Sequence, residues 1–147
     1  MDFENELIPG VLIKRYKRFF ADIKLKNKII TAHCPNPGSM FKLLKKGNPV
    51  WITKSNNEKR KLQHTLQIIE VDKIKFCVNT HITNKVVQES LEKKLIEDLA
   101  EYNLVRPEKK FGSNTRFDFL LYNTKRDKKA FLEVKSVSLS RKEGHAE

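Results

Sequence analysis

The chain has 147 residues, 39% apolar and 33% charged, which suits a soluble globular protein with one sizeable core or two small ones. Thirty Lys and Arg against 18 Asp and Glu give a formal net charge of +12, a surplus that favours polyanions through counterion release, although an AT-rich genome coding for many lysines leaves the same mark. No apolar run approaches the ~20 residues of a membrane span, Cys34 and Cys77 form no C-x-x-C pair, and the acidic start Met1 to Glu6 lacks the basic and apolar regions of a signal peptide, so the expectation is a cytoplasmic chain with buried, reduced thiols and neither zinc site nor disulfide framework.

In chain order, Val11 to Leu25 reads as one long β-rich run interrupted by charge. On a continuous strand Lys14, Tyr16 and Arg18 share one face while Arg15, Lys17 and Phe19 share the other. Aromatics interleaved with cations are how OB barrels grip nucleic-acid strands; equally, the aromatics fill the barrel and the cations solvate its outside. Lys28 to Cys34 follows a Lys-Asn turn as the second arm of a hairpin, and Pro35-Asn36-Pro37-Gly38 breaks the chain, with Asn36 and Gly38 shaping the turn. Ser39 to Lys45 reads as a short helix capped by Ser39. Strands are then expected at 49–54, 65–71 and 75–79, the last two joined by the tight Asp72-Lys73 turn. Lys59, Arg60 and Lys61 fall in the loop before the second of these and extend the basic groove. His33, beside Cys34, reads as a turn histidine rather than a metal ligand, and His64, His81 and His145 are isolated from any serine or cysteine nucleophile. Five strands with a helical insertion in the first 80 residues match a small closed barrel of the OB type, with an SH3-like barrel as the alternative.

Beyond residue 80 the period changes. Ile82, Val86, Val87, Leu91, Leu95, Ile96 and Leu99 recur at intervals that predict an amphipathic helix over 83–100. Three strands are expected next, at 105–111, 117–121 and 130–137. Closing the last two as a hairpin with Tyr122 opposite Lys129 sets Asp118 opposite Glu133, and Lys135 shares a face with Glu133. Two carboxylates ~5 Å apart repel unless a cation lies between them, and hard oxygen donors suit Mg²⁺ or Mn²⁺. A nearby lysine then stabilises charge on a phosphate or positions a water. An acid and a lysine two apart are also common on solvated strand faces, but Phe131-Leu-Glu-Val-Lys-Ser-Val137 is an apolar run of the kind buried on both faces.

Several blocks together carry a resemblance. Leu12 to Asp22, His33 to Met40, Lys59-Arg-Lys61 with His64-Thr65, Val78-Asn-Thr80, Arg116-Phe-Asp118 and Glu133 to Val137 resemble, in order, the motifs of the sugar fermentation stimulation protein (SfsA) family. The resemblance implies an OB-like nucleic-acid-binding barrel over 1–80 and the first part of a restriction-endonuclease-like PD-(D/E)xK domain over 81–147. It implies a bacterial, DNA-binding cytoplasmic protein associated with regulation of sugar (maltose) utilisation genes. By position Asp118, Glu133 and Lys135 match the nuclease signature, with Glu108 as a candidate extra metal ligand. The implied cofactor is Mg²⁺ or Mn²⁺. An active nuclease and an RNA-binding accessory protein stand as alternatives. Family members continue past Glu133 to Val137 with a segment resembling Phe-Pro-Asp-Ala-Val-Thr, a helix and more strands, whereas this chain stops at Glu147, so it is expected to be a shortened member with one sheet face uncovered.

Overall fold

The computed structural model describes the backbone of residues 1–111 and 115–137, and their side chains except at 108–111 and 115. The described chain forms two compact units, which divide between His81 and Ile82.

The first unit holds six strands: β1 (Ile8–Tyr16), β2 (Phe20–Leu25), β3 (Lys28–His33), β4 (Pro49–Lys54), β5 (His64–Val71) and β6 (Ile74–Cys77). Their order is β3-β2-β1-β4-β5-β6, and an additional pairing of β3 with β5 closes the first five into a barrel, leaving β6 appended to its edge. Closure is by a parallel bridge, His33 to Thr65, while the other pairings are antiparallel. This is the OB-like barrel, and closure removes edges open to unwanted pairing.

Leu12, Ala21, Ile23, Ala32, Val50, Ile52, Leu66, Ile69 and Val78 are fully buried. In β2 the alternation is plain, with Ala21, Ile23 and Leu25 inward and Phe20, Asp22 and Lys24 outward. Each large aliphatic side chain so buried is worth about 1.5–3 kcal/mol of transfer free energy. Gly10 permits the crossing of β1 over β2, because a Cβ there would lie 2.7 Å from Ile23 Cγ2 and 2.8 Å from Leu25 Cδ2.

Three expectations for this unit are corrected. The run from Val11 to Leu25 is two strands, because Lys17 and Arg18 adopt φ of 45° and 63° and reverse the chain between Tyr16 and Phe20. That turn, with a bulge between Leu12 and Lys14, dissolves the face assignment built on a continuous strand. No helix forms over Ser39 to Lys45, since Met40 and Lys42 have φ of 51° and 66°, outside the helical region, and Met40 is drawn into the core beside Cys34. Cys34 is buried as expected, but Cys77 on the appended strand is exposed. The Asp72-Lys73 turn does form, with both residues left-handed between Val71 and Ile74.

The second unit comprises α1 (Thr83–Glu92) and a three-stranded antiparallel sheet, β7 (Leu104–Phe111), β8 (Thr115–Asn123) and β9 (Lys128–Leu132), in the order β7-β8-β9. A core of Leu91, Tyr102, Phe119 and Leu121 gathers Val87, Ile96, Leu99, Val105, Leu132 and Val134 around it. The helix stops well short of Ala100. Lys94 takes φ of 55°, and the Leu95 and Lys94 amides donate to the Ser90 and Leu91 carbonyls, a Schellman closure built on lysine instead of glycine. Leu95, expected on the apolar face, is 68% exposed as a result. Strand β9 likewise ends at Leu132, so Glu133 and Lys135 follow the strand instead of lying on it. No helix among the described residues is long and apolar enough to cross a membrane.

Candidate functional site

Register places the acids of the second unit. Pairs Phe119 with Leu132 and Tyr122 with Lys129 set the β8–β9 hairpin as the sequence spacing predicts, which carries Glu133 alongside Asp118 just beyond the last pair. On the other flank, Pro107 pairs with Phe119 and Lys109 with Phe117, bracketing Asp118 against position 108. The side chain of Glu108 lies outside the described residues, as does His145.

Asp118 is the half-buried centre of this group. Its Oδ2 accepts from the Val134 amide at 2.8 Å and its Oδ1 from the Asn84 side-chain amide at 2.7 Å. These bonds tie β8 to the segment after β9 and to the first turn of α1. The Val134 N–H, ahead of all other influences, holds the Asp118 carboxyl below its ordinary value; partial burial opposes it, and Asn84 and the charge of Lys135 lower it further. Lys135 donates from Nζ to Glu133 Oε1 at 2.5 Å. That bond and Glu133's charge raise the lysine's pKa, with Asp118 adding to the effect, so the ammonium stays charged. Glu133 and Lys135 are exposed, at 46% and 73% of their side-chain areas, which corrects the expectation of burial on both faces. The strand ends before them, and the chain carries them into solvent.

The donor set fits a hard divalent cation. Each Asp118 oxygen accepts one hydrogen bond and keeps a further lone pair, Glu133 offers a second carboxylate, and Mg²⁺ commonly uses one or two carboxylates and keeps several waters. Among the described residues no cluster of three or more His, Cys, Asp or Glu forms. Sequence reasoning missed Asn84, because an exposed-looking asparagine in the first turn of a helix carries no signal until the strand it faces is known.

In the barrel, several of the expected nucleic-acid-binding residues serve the fold. Arg15 spends its guanidinium on three backbone carbonyls, those of Arg18 at 2.8 Å, Asn36 at 2.7 Å and Ser39 at 3.5 Å, pinning the β1–β2 turn to the Pro35–Gly38 segment. Asn36 in turn accepts the Gly38 amide at 2.8 Å, the turn-shaping role expected of it. Lys14 pairs with Asp22 at 3.7 Å and lies over the Tyr16 ring, whose hydroxyl also reaches Asp22. Arg60 donates to Thr65 Oγ1 at 3.2 Å. Lys17, Arg18, Lys59 and Lys61 project as exposed cations.

Comparison with known proteins follows the same division. Residues 13–79 match the family model described as the SfsA N-terminal OB domain, and residues 81–147 match the one described as the sugar fermentation stimulation protein RE domain. A sugar fermentation stimulation protein homolog of Pelagibacter ubique is 49% identical over 147 residues, all of this chain and 62% of that protein. The homolog of a Marinomonas species is 46% identical over 97% of this chain and 55% of its own length. The chain thus spans about three fifths of the curated relatives it matches. The solved structure of Pyrococcus furiosus SfsA in complex with Ca²⁺ superposes with a TM-score of 0.78 over 96% of this chain and 58% of that one, at 23% identity, a likeness of fold.

Proposed function

The chain belongs to the sugar fermentation stimulation protein family, and from that premise we propose that it is part of a DNA-binding protein whose second unit, a PD-(D/E)xK-like domain, holds a divalent cation at Asp118 and Glu133. The observation that carries this reading is the meeting at Asp118 of a second carboxylate, Glu133, and a charged lysine, Lys135. The RE-domain match supports it, as does the fact that the Pyrococcus protein was solved as a complex with Ca²⁺. Mg²⁺ or Mn²⁺ is the proposed ion, with Glu108, across β7, as a further ligand.

A bound cation would supply Lewis-acid polarisation of a phosphate oxygen and a more acidic water. The protein's own part is positional. Val134 and Asn84 fix the Asp118 carboxylate and keep it ionised at neutral pH, while Lys135 offers a charge to phosphate oxygens. The net charge of +12, with Lys17, Arg18, Lys59 and Lys61 exposed on the barrel unit, favours a polyanion, which the proposal takes to be DNA. The family's name supports a role in the use of sugars, which the proposal takes to be regulation of sugar-utilisation genes, in the cytoplasm.

Phosphodiester cleavage is the second reading, favoured by the completeness of the acid, acid and lysine set. Incubation with single- and double-stranded DNA and Mg²⁺ or Mn²⁺, scored for both retention and cutting, separates the two. DNA binding predicts retention that weakens as salt rises. If the site also turns over, Asp118→Ala and Glu133→Ala remove cleavage while affinity stays nearly unchanged; cutting that persists in both variants contradicts the assignment, and absence of retention contradicts DNA binding.

A further inference from the structure

Three rings line up on the barrel where the five-strand closure is made. Phe19 stacks on His33 with centroids 6.3 Å apart and planes 30° from parallel, and His33 in turn lies 6.3 Å from His81. They come from the β1–β2 turn, the end of β3 and the segment after β6: the β2–β3 pairing of Phe20 with His33 sets Phe19 beside that histidine, and the β3–β5 closure brings up the segment that carries His81. Phe19 is 42% exposed, which costs an aromatic side chain the burial it would gain in the core, and His81 is also exposed.

The backbone under each ring is held in place. The Phe19 carbonyl accepts the Cys34 amide at 2.8 Å, locking the turn against the end of β3. His33 sits between its β2 partner Phe20 and its β5 partner Thr65. His81 ends a buried polar relay: Gln67 donates to Thr53 Oγ1 at 2.8 Å, Asn79 donates to Gln67 Oε1 at 2.8 Å, and the His81 amide donates to Asn79 Oδ1 at 3.0 Å. Thr80 adds a bond from its hydroxyl to the Pro35 carbonyl at 2.7 Å. Buried polar groups satisfied in series fix one geometry, and here the geometry they fix is that of the backbone that carries the exposed His81.

Charge completes the surface. Arg60 is anchored on Thr65, the residue paired with His33, and its charge reaches that imidazole. Burial first, then Arg60 and His81, lower the His33 pKa. Arg18 and Lys17 flank Phe19 in the same turn. Partly exposed rings with cations beside them match unpaired bases on a phosphate chain, whereas a duplex keeps its base faces stacked inside.

We propose that Phe19, His33 and His81 form a stacking platform for the bases of single-stranded DNA, with Arg60 and Arg18 meeting its phosphates. This rests on the DNA-binding reading above and narrows it to a strand type and a place. The test is fluorescence anisotropy of a labelled oligothymidylate of about a dozen nucleotides, and of a duplex of the same length, against the whole chain and its Phe19→Ala, Phe19→Trp, His33→Ala and His81→Ala variants. Phe19→Ala is expected to weaken single-strand binding roughly tenfold, with a smaller effect on the duplex, while Phe19→Trp restores it. Circular dichroism and thermal melting monitor folding, and Phe19 and His81, being exposed, are the two positions whose loss the barrel tolerates. Equal single-strand affinity for wild type, Phe19→Ala and His81→Ala would overturn the platform while leaving DNA binding intact. Equal losses on single strand and duplex in folded variants would also overturn it. Failure of the wild type to retain either nucleic acid would overturn the underlying reading itself.

Discussion

Asp118 shows how one side chain can tie a small fold together and offer chemistry at once. Its two hydrogen bonds, to Val134 and Asn84, join three separate segments, and they depress its pKa below the ordinary 3.8. A carboxylate of lowered folded-state pKa contributes stability that is fully present above that ordinary value and is lost as pH falls through the folded one. Asp118→Asn is therefore expected to lower stability by ~1 kcal/mol at neutral pH, with the gap to wild type closing in the acid range below its ordinary pKa. Thermal denaturation of both proteins across that range checks it, and a gap that stays constant in acid would refute the coupling. The aspartate itself was legible in the sequence, since Arg116-Phe-Asp118 and the hairpin spacing set it against Glu133. Its partner Asn84 was not, because a contact across 34 residues leaves no periodic trace. Arg15 teaches the reverse: a cation in a basic run looked available for phosphate, yet its donors are taken by the carbonyl of Arg18, in a turn that no sequence pattern announced, and by that of Asn36.

Among the elements, α1 separates what hydrophobic periodicity can and cannot fix. Leu91 and Leu95 are one helical turn apart in the pattern, and both read as core. Only Leu91, 6% exposed, packs with Tyr102, Phe119 and Leu121; Leu95 lies beyond the left-handed Lys94 and is 68% exposed. Leu91→Ala is expected to cost about 2–4 kcal/mol, and Leu95→Ala no more than ~0.5 kcal/mol. Denaturant unfolding of the two variants decides the matter, and a comparable loss in both would mean that the helix continues as its periodicity predicts. The same limit explains the β1–β2 turn. Lys17 and Arg18 reverse the chain without the Asn-Gly or Asp-Gly pair that normally marks such turns, so the run read as one strand. Asp72-Lys73, by contrast, was legible because a short polar pair stood between two apolar runs. Strand β9 ends before Glu133 for a reason the sequence hid, since Val134 gives its amide to a side chain, Asp118, and not to a neighbouring strand.

Across the whole chain, two units carry two kinds of chemistry. In the proposed function the barrel's rings and cations meet a polymer, and the carboxylate oxygens of the smaller unit hold an ion. The switch near residue 80 from strands to a helical period was plain in the sequence, and so was a small barrel, although an SH3-like one stood as the alternative and the five runs read from the sequence are not the five strands that close: the first run is β1 and β2, and the last is the appended β6. Closure through His33 and Thr65, and the ring row it completes, needed coordinates. The proposed function turns above all on Asp118 and Glu133 holding a divalent cation. Titration of the chain with Mn²⁺, following the free ion by electron paramagnetic resonance, reads that occupancy without relying on activity. A saturable site is expected, lost in Asp118→Ala and weakened roughly tenfold in Asn84→Ala, where the carboxylate loses its positioning partner. No saturable binding, or binding that Asp118→Ala leaves unchanged, would contradict the assignment.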